Sequence, residues 1–176
     1  MSSLVALAVS VGVLGGIAAW LFLTVGAILI WAAFVSWACF FHSGGDVAAL
    51  KSTIISNILG VVSAWVAALV ILGVPMAATL TLPVWAGIVV AITVFIYILL
   101  SKIEVFASIP GTTYGYACTF GYILQTPDKL SMDALTSANM SNALIVVPIS
   151  MVIGALFAFV SGKGAAALTK ENVDGK

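Results

Sequence analysis

From Leu4 to Phe41 the chain runs without a single Asp, Glu, Lys or Arg. As one α-helix that run would be ~57 Å long at 1.5 Å per residue, against a bilayer hydrocarbon core of about 30 Å. It is too long to cross once and too apolar to rest in water, so it must cross twice. Thr24-Val25-Gly26 is the place within it suited to a turn. The rest of the 176 residues follows the same logic, with 63% hydrophobic and 7% charged. A water-soluble domain carries roughly 25% charged residues, so lipid is the solvent for most of this chain.

Continuing the division predicts an all-α polytopic membrane protein with six transmembrane helices. The spans fall near Leu4–Leu23, Gly26–Phe41, Ser52–Leu72, Leu80–Leu100, Ile103–Tyr122 and Asn139–Val160. Gly73 and Pro75 end the third, because proline lacks an N–H and fixes φ. Residues 1–162 then form one membrane domain, with halves at about 4–73 and 80–160, and residues 163–176 form a polar tail. Six spans place both termini on one side. Lys51, Lys102, Lys163, Lys170 and Lys176 fall on that side and Lys129 alone on the other, so the positive-inside rule predicts cytoplasmic termini. The N-terminus has no basic region ahead of its apolar run and reads as a retained helix rather than a cleaved signal.

Laying the second span on the fifth aligns Trp37-Ala38-Cys39-Phe40-Phe41 with Tyr116-Ala117-Cys118-Thr119-Phe120. The same shift lays span one on span four, and a longer loop then brings Ser56-Asn57 opposite Ser141-Asn142. A unit of three spans repeated once is necessarily inserted upside down, which gives a 3+3 inverted repeat. Transporters of that build place their solute path at the midplane, between equivalent broken helices.

The stretch FASIPGTTYGYACTFGY, Phe106 to Tyr122, is the unusual span. Read as mid-helix, Pro110 removes a donor and frees carbonyls near Phe106 and Ala107, and bare carbonyls in lipid cost several kcal/mol each, on the order of a lost hydrogen bond or more. One reading has them face a solute path lined by Pro110, Gly111, Thr112, Thr113, Tyr114, Tyr116 and Thr119, with Asn57 and Asn142 at matching repeat positions. A second reading is a packing kink in which Gly111-x-x-x-Gly115 lets another helix approach, and a third is a contact between subunits. Asn57 and Asn142 read equally as hydrogen-bonding glue between helices. His42, the lone histidine, is either a gate that titrates near neutral pH or an interfacial polar residue. Glu104 reads as a solvated cap at the start of span five. Gly12 and Gly16 form another small-residue pair.

Several functions are excluded on composition. The formal net charge is zero and arginine is absent, so no basic face exists for nucleic acid. Cys39 and Cys118 lie in apolar runs and read as packing residues, with no metal or cofactor motif around them. No histidine, carboxylate and nucleophile converge, so an enzyme is not expected. The expected partners are the bilayer, a small-molecule solute and further copies of the chain.

The segments GVLGGIAAW, WAAFVSWACFF and SIPGTTYGYACTF resemble a family of small bacterial inner-membrane proteins, domain of unknown function 1097, over most of residues 4–160. The resemblance implies a polytopic protein of the bacterial inner membrane and carries no substrate with it. A looser analogy links the pattern to three-plus-three channels such as the aquaporins, although Asn-Pro-Ala is absent, and to aromatic-acid exporters. The leading expectation is a passive channel or facilitator for a small, mostly uncharged solute. No carboxylate or lysine lies deep enough to couple an ion. The alternatives are a secondary exporter of a small organic acid and a membrane scaffold subunit without a path.

Overall fold

The computed structural model describes residues 1–169, and every regular element among them is helical. Helix α1, Ser3–Val25, is capped by the Ser2 hydroxyl and ends where Gly26 takes φ 68° and returns its N–H to Phe22. That left-handed turn suits glycine, and it falls within the uncharged run where a turn was expected, about one bilayer thickness along it. Helix α2, Ile30–His42, has 13 residues, or ~20 Å of rise. Helix α3, Val47–Gly73, is the longest at 27 residues, and Asp46 caps it by accepting from Ala49 N at 2.7 Å.

Five further helices and one 3-10 turn follow among the described residues. The short α4, Ala77–Leu80, precedes α5, Leu82–Leu100, which has proline in its first turn. A 3-10 turn at Glu104–Phe106 leads to α6, Ile109–Gln125. The long polar loop contains α7, Met132–Thr136, anchored by fully buried Leu135 and by Trp65 Nε1, which donates to the Leu135 carbonyl at 2.8 Å. Helix α8, Ala143–Leu168, closes the bundle.

Helices α1, α3, α5 and α8 are long and apolar enough to cross a membrane, whereas α2 and α6 are shorter at 13 and 17 residues. Helices α3 and α8 form the interior, packed on each other, with α6 and α5 against α3 and with α2 and α1 against α8. Helices α1 and α5 are peripheral, and α5 buries only Val89 and Tyr97.

Three boundaries differ from expectation. Span five was expected from Ile103, but Ser108 caps α6 and the chain before it is a separate 3-10 turn, so Glu104 does not cap the helix. The helix expected to end near Val160 continues to Leu168, because Ala165 to Ala167 are strong helix formers. The first residues of the expected tail are therefore helical, while Lys170 and Lys176 lie outside the described residues. The proline inside a helix is Pro148 of α8 rather than Pro110.

Candidate functional site

The start of α6 answers most of what its sequence asks. Ser108 Oγ accepts from Gly111 N at 3.2 Å, and Pro110 is the second residue of the helix. The first four N–H groups of any helix lack an internal partner, so a proline here removes a donor that was not in use. The Ala107 carbonyl accepts from Ile109 N at 3.0 Å. Pro110 thus makes no mid-span break, and both the kink and the exposed carbonyls inferred from it are corrected to a helix start.

Beyond that start, one face of α6 is pressed against α3. A Cβ on Gly60 would fall on the Thr112 carbonyl, and one on Gly115 would fall on the Asn57 carbonyl. A Cβ on Gly111 would lie 2.8 Å from Ser56 Cβ. The two backbones therefore touch with no side chain between them. Gly111 and Gly115 serve the close approach that the small-x-x-x-small spacing allows.

The hydroxyl residues of α6 face three ways. Thr112 and Thr119 are buried toward α3 and bond back to their own helix, to Ser108 O at 3.2 Å and Gly115 O at 2.9 Å. Tyr116 and Thr113 face α5, where Tyr116 Oη meets Thr93 Oγ1 at 2.9 Å and Thr113 Oγ1 meets Tyr97 Oη at 3.2 Å. Tyr114 turns toward α2 and meets the exposed His42 ring edge-on at 6.4 Å. They do not converge on one lumen.

The two asparagines also part company. Asn142 is the N-cap of α8, accepting from Leu144 N at 2.9 Å and donating to Ser137 O at 2.8 Å. Asn57 lies mid-helix, three residues from the central Gly60 of α3. They occupy unlike places, and the alignment of Ser56-Asn57 with Ser141-Asn142 is not the register of the fold.

A polar cluster does form around Asn57. Thr53, Ser56, Asn57 and Gly60 follow the i, i+3, i+4, i+7 spacing of one helix face. Asn57 Nδ2 donates to the hydroxyl of Ser36, the central residue of α2, at 2.8 Å. Thr53, Ser56 and Ser36 are fully buried and Asn57 is 2% exposed. Yet Thr53 Oγ1, Ser56 Oγ and Asn57 Oδ1 find no nitrogen or oxygen hydrogen-bond partner among the described residues, the buried Cys39 thiol of α2 beside Thr53 being only a weak one. An unsatisfied buried polar atom costs about 1–3 kcal/mol. Three of them on one helix face call for an explanation, because native interiors leave few such atoms.

Sequence reasoning found Asn57 and the glycines but missed Ser36 and Thr53 as members of one site. The legible signal was Thr53-x-x-Ser56-Asn57, a polar stripe within an apolar span. Nothing in the sequence said that Ser36 would face it. Cys39 and Cys118 are both buried free thiols, and no group of His, Cys, Asp or Glu among the described residues could hold a metal. The site is an uncharged set of hydroxyl and amide oxygens at the junction of α2, α3 and α6, near the middle of the longest helix.

In comparisons with known proteins, the family model described as "Protein of unknown function (DUF1097)" matches residues 8–166. No curated protein and no solved structure matches the chain.

Proposed function

The chain belongs to the DUF1097 family of proteins of unknown function, and from that premise we propose a six-span inverted-repeat membrane protein that passively admits a small, mostly uncharged solute. The observation that carries this reading is the set of partnerless oxygens beside the Asn57–Ser36 bond, placed where two halves of the molecule cross.

The inverted repeat draws support from packing. The shift that lays Trp37 on Tyr116 also lays Ala33 on Thr112 and Ala18 on Tyr97. Gly154 presses on the Ala33 carbonyl as Gly60 presses on that of Thr112. Ala18, Trp37 and Ala158 share one apolar cluster, while Tyr97, Tyr116 and Ala64 share another. Helix α8 therefore answers to α3 with Gly154 on Gly60, Ser150 on Ser56 and Ala158 on Ala64. The Gly60 and Gly154 crossings and the apolar clusters beside them correspond, as a duplicated three-helix unit would require. The α2 and α6 spans, shorter than the bilayer core, are then the interrupted helices typical of such repeats.

Both termini belong on one side in this reading, and the Met1 amino group lies 3.5 Å from the Leu168 carbonyl. The lysine distribution favours the cytoplasm for that side and the bacterial inner membrane for the protein. Gly12 and Gly16 have open space where a Cβ would sit, which favours a further copy of the chain packing on α1. The acids within the described residues lie in caps, turns and loops, so we read no catalysis into the protein.

The membrane-scaffold reading keeps one observation of its own, the consumption of Gly111, Gly115, Thr112 and Thr119 in helix packing. Stopped-flow light scattering on proteoliposomes separates the two. Faster equilibration of a neutral solute, absent from protein-free vesicles, supports the facilitator, and no acceleration with folded protein leaves the scaffold.

A further inference from the structure

The duplicated architecture contains its own control for the polar cluster. At the crossing of α8 on α2, the positions answering to Thr53, Ser56 and Asn57 are Val147, Ser150 and Met151. Val147 and Met151 are apolar and buried, and Ser150 is satisfied twice, accepting from Leu29 N at 2.9 Å and donating to Val146 O at 2.7 Å. The α8 face of that crossing thus carries no orphaned atom, although Trp37 Nε1 on the facing α2 finds no partner. Packing alone does not demand Thr53, Ser56 and Asn57.

We propose that Thr53, Ser56 and Asn57, with Ser36 fixing the amide, form a single binding site for a compact neutral molecule rich in N–H donors, of the primary amide or ammonia class. The inference rests on the facilitator reading and narrows its substrate. The open valences set the chemistry. Asn57 Oδ1 can only accept, and each hydroxyl offers two lone pairs for one proton, so the cluster presents more acceptors than donors. A primary amide completes it, its N–H groups meeting Asn57 Oδ1 and its carbonyl accepting from the hydroxyls, whereas a ketone or a carboxylate would leave Asn57 Oδ1 unpaired. Ions are disfavoured because no charged side chain belongs to the cluster and desolvation is not repaid there. Size follows from the helix, since Thr53 to Asn57 advances ~6 Å at 1.5 Å per residue, a span that a molecule of a few heavy atoms bridges. The mate site, with Val147 and Met151, does not bind it, so each protomer carries one.

The test uses the full-length protein in detergent and in proteoliposomes, with acetamide as probe and N,N-dimethylacetamide as the same skeleton without N–H. Acetamide is expected to raise the Tm of the wild type, and dimethylacetamide is not. The near-isosteric Thr53→Val/Ser56→Ala variant removes two orphaned hydroxyls, so it should fold with an unchanged or higher Tm and lose the response to acetamide. Acetamide-driven vesicle swelling should be accelerated by the wild type and not by the variant. Equal responses to both probes, no response, or an acetamide response retained by the variant overturns the site. Acceleration of swelling that the variant retains would overturn the site and leave the facilitator standing. A Tm response without acceleration would keep the site and refute the facilitator.

Discussion

Asn57 donates its amide to Ser36 across 2.8 Å, and through that bond the middle of α3 is tied to the middle of α2. Both residues are withdrawn from solvent, so each would be orphaned without the other. Interhelical side-chain bonds in membranes are worth about 0.6–2 kcal/mol. Ser36→Ala should therefore lower stability by about 1 kcal/mol, within that range, in a denaturation titration in mild detergent. An unchanged midpoint would show that the pair does not hold the helices together.

The glycine crossings make a sharper claim. A methyl on Gly60 or Gly154 lands on a backbone carbonyl, of Thr112 or Ala33 respectively, which cannot swing aside as a side chain can. Gly60→Ala and Gly154→Ala should each cost about 3 kcal/mol or more, at the upper end of overpacking, and to similar extents because each methyl would meet a backbone carbonyl equally closely. Gly12→Ala meets nothing in the protomer and should be neutral or stabilising by up to about 1 kcal/mol from helix propensity. Markedly unequal losses at Gly60 and Gly154 would count against the duplicated crossing.

Pro110 supplies a test of the corrected helix start. As a first-turn residue with an exposed ring, it should tolerate Pro110→Ala with a change within about 0.5 kcal/mol, the range of ordinary surface substitutions. A shift near 3 kcal/mol, the scale of an interior proline, would restore the mid-span break.

The hydroxyl pairs Tyr116–Thr93 and Thr113–Tyr97 join α6 to the loosely held α5. Thr113→Val with Tyr116→Phe should weaken that seam by about 1–2 kcal/mol, two modest hydrogen bonds, while leaving solute flux unchanged. Flux altered at equal stability would place these residues on the path after all.

Orientation is checked chemically on a background with Cys39 and Cys118 replaced by alanine. Lys51→Cys should react with an impermeant maleimide only from the cytoplasmic face and Lys129→Cys only from the opposite face. Reversed labelling would invert the topology.

Much of this molecule is written locally. The reversal at Gly26 follows from an apolar run too long for one crossing and a residue that accepts φ 68°. The packing role of Gly111 and Gly115 was legible in their spacing. Pro110 was misplaced because hydropathy sees the whole of Phe106–Tyr122 as one span, while the helix starts only at Ile109, where the Ser108 hydroxyl caps it. Asn142 was misread for the same reason, since a cap and a core amide have the same letter.

The sequence by itself determined that the chain is helical, apolar enough to cross a membrane and folded back on itself, because charge, hydropathy and turn chemistry act over a few residues at a time. The tertiary structure alone decided that Ser36 meets Asn57, that Gly60 meets Thr112 and that Thr53 and Ser56 are closed away without partners. Those relations depend on which faces of separate helices meet, and no interaction within one helix specifies the face of another.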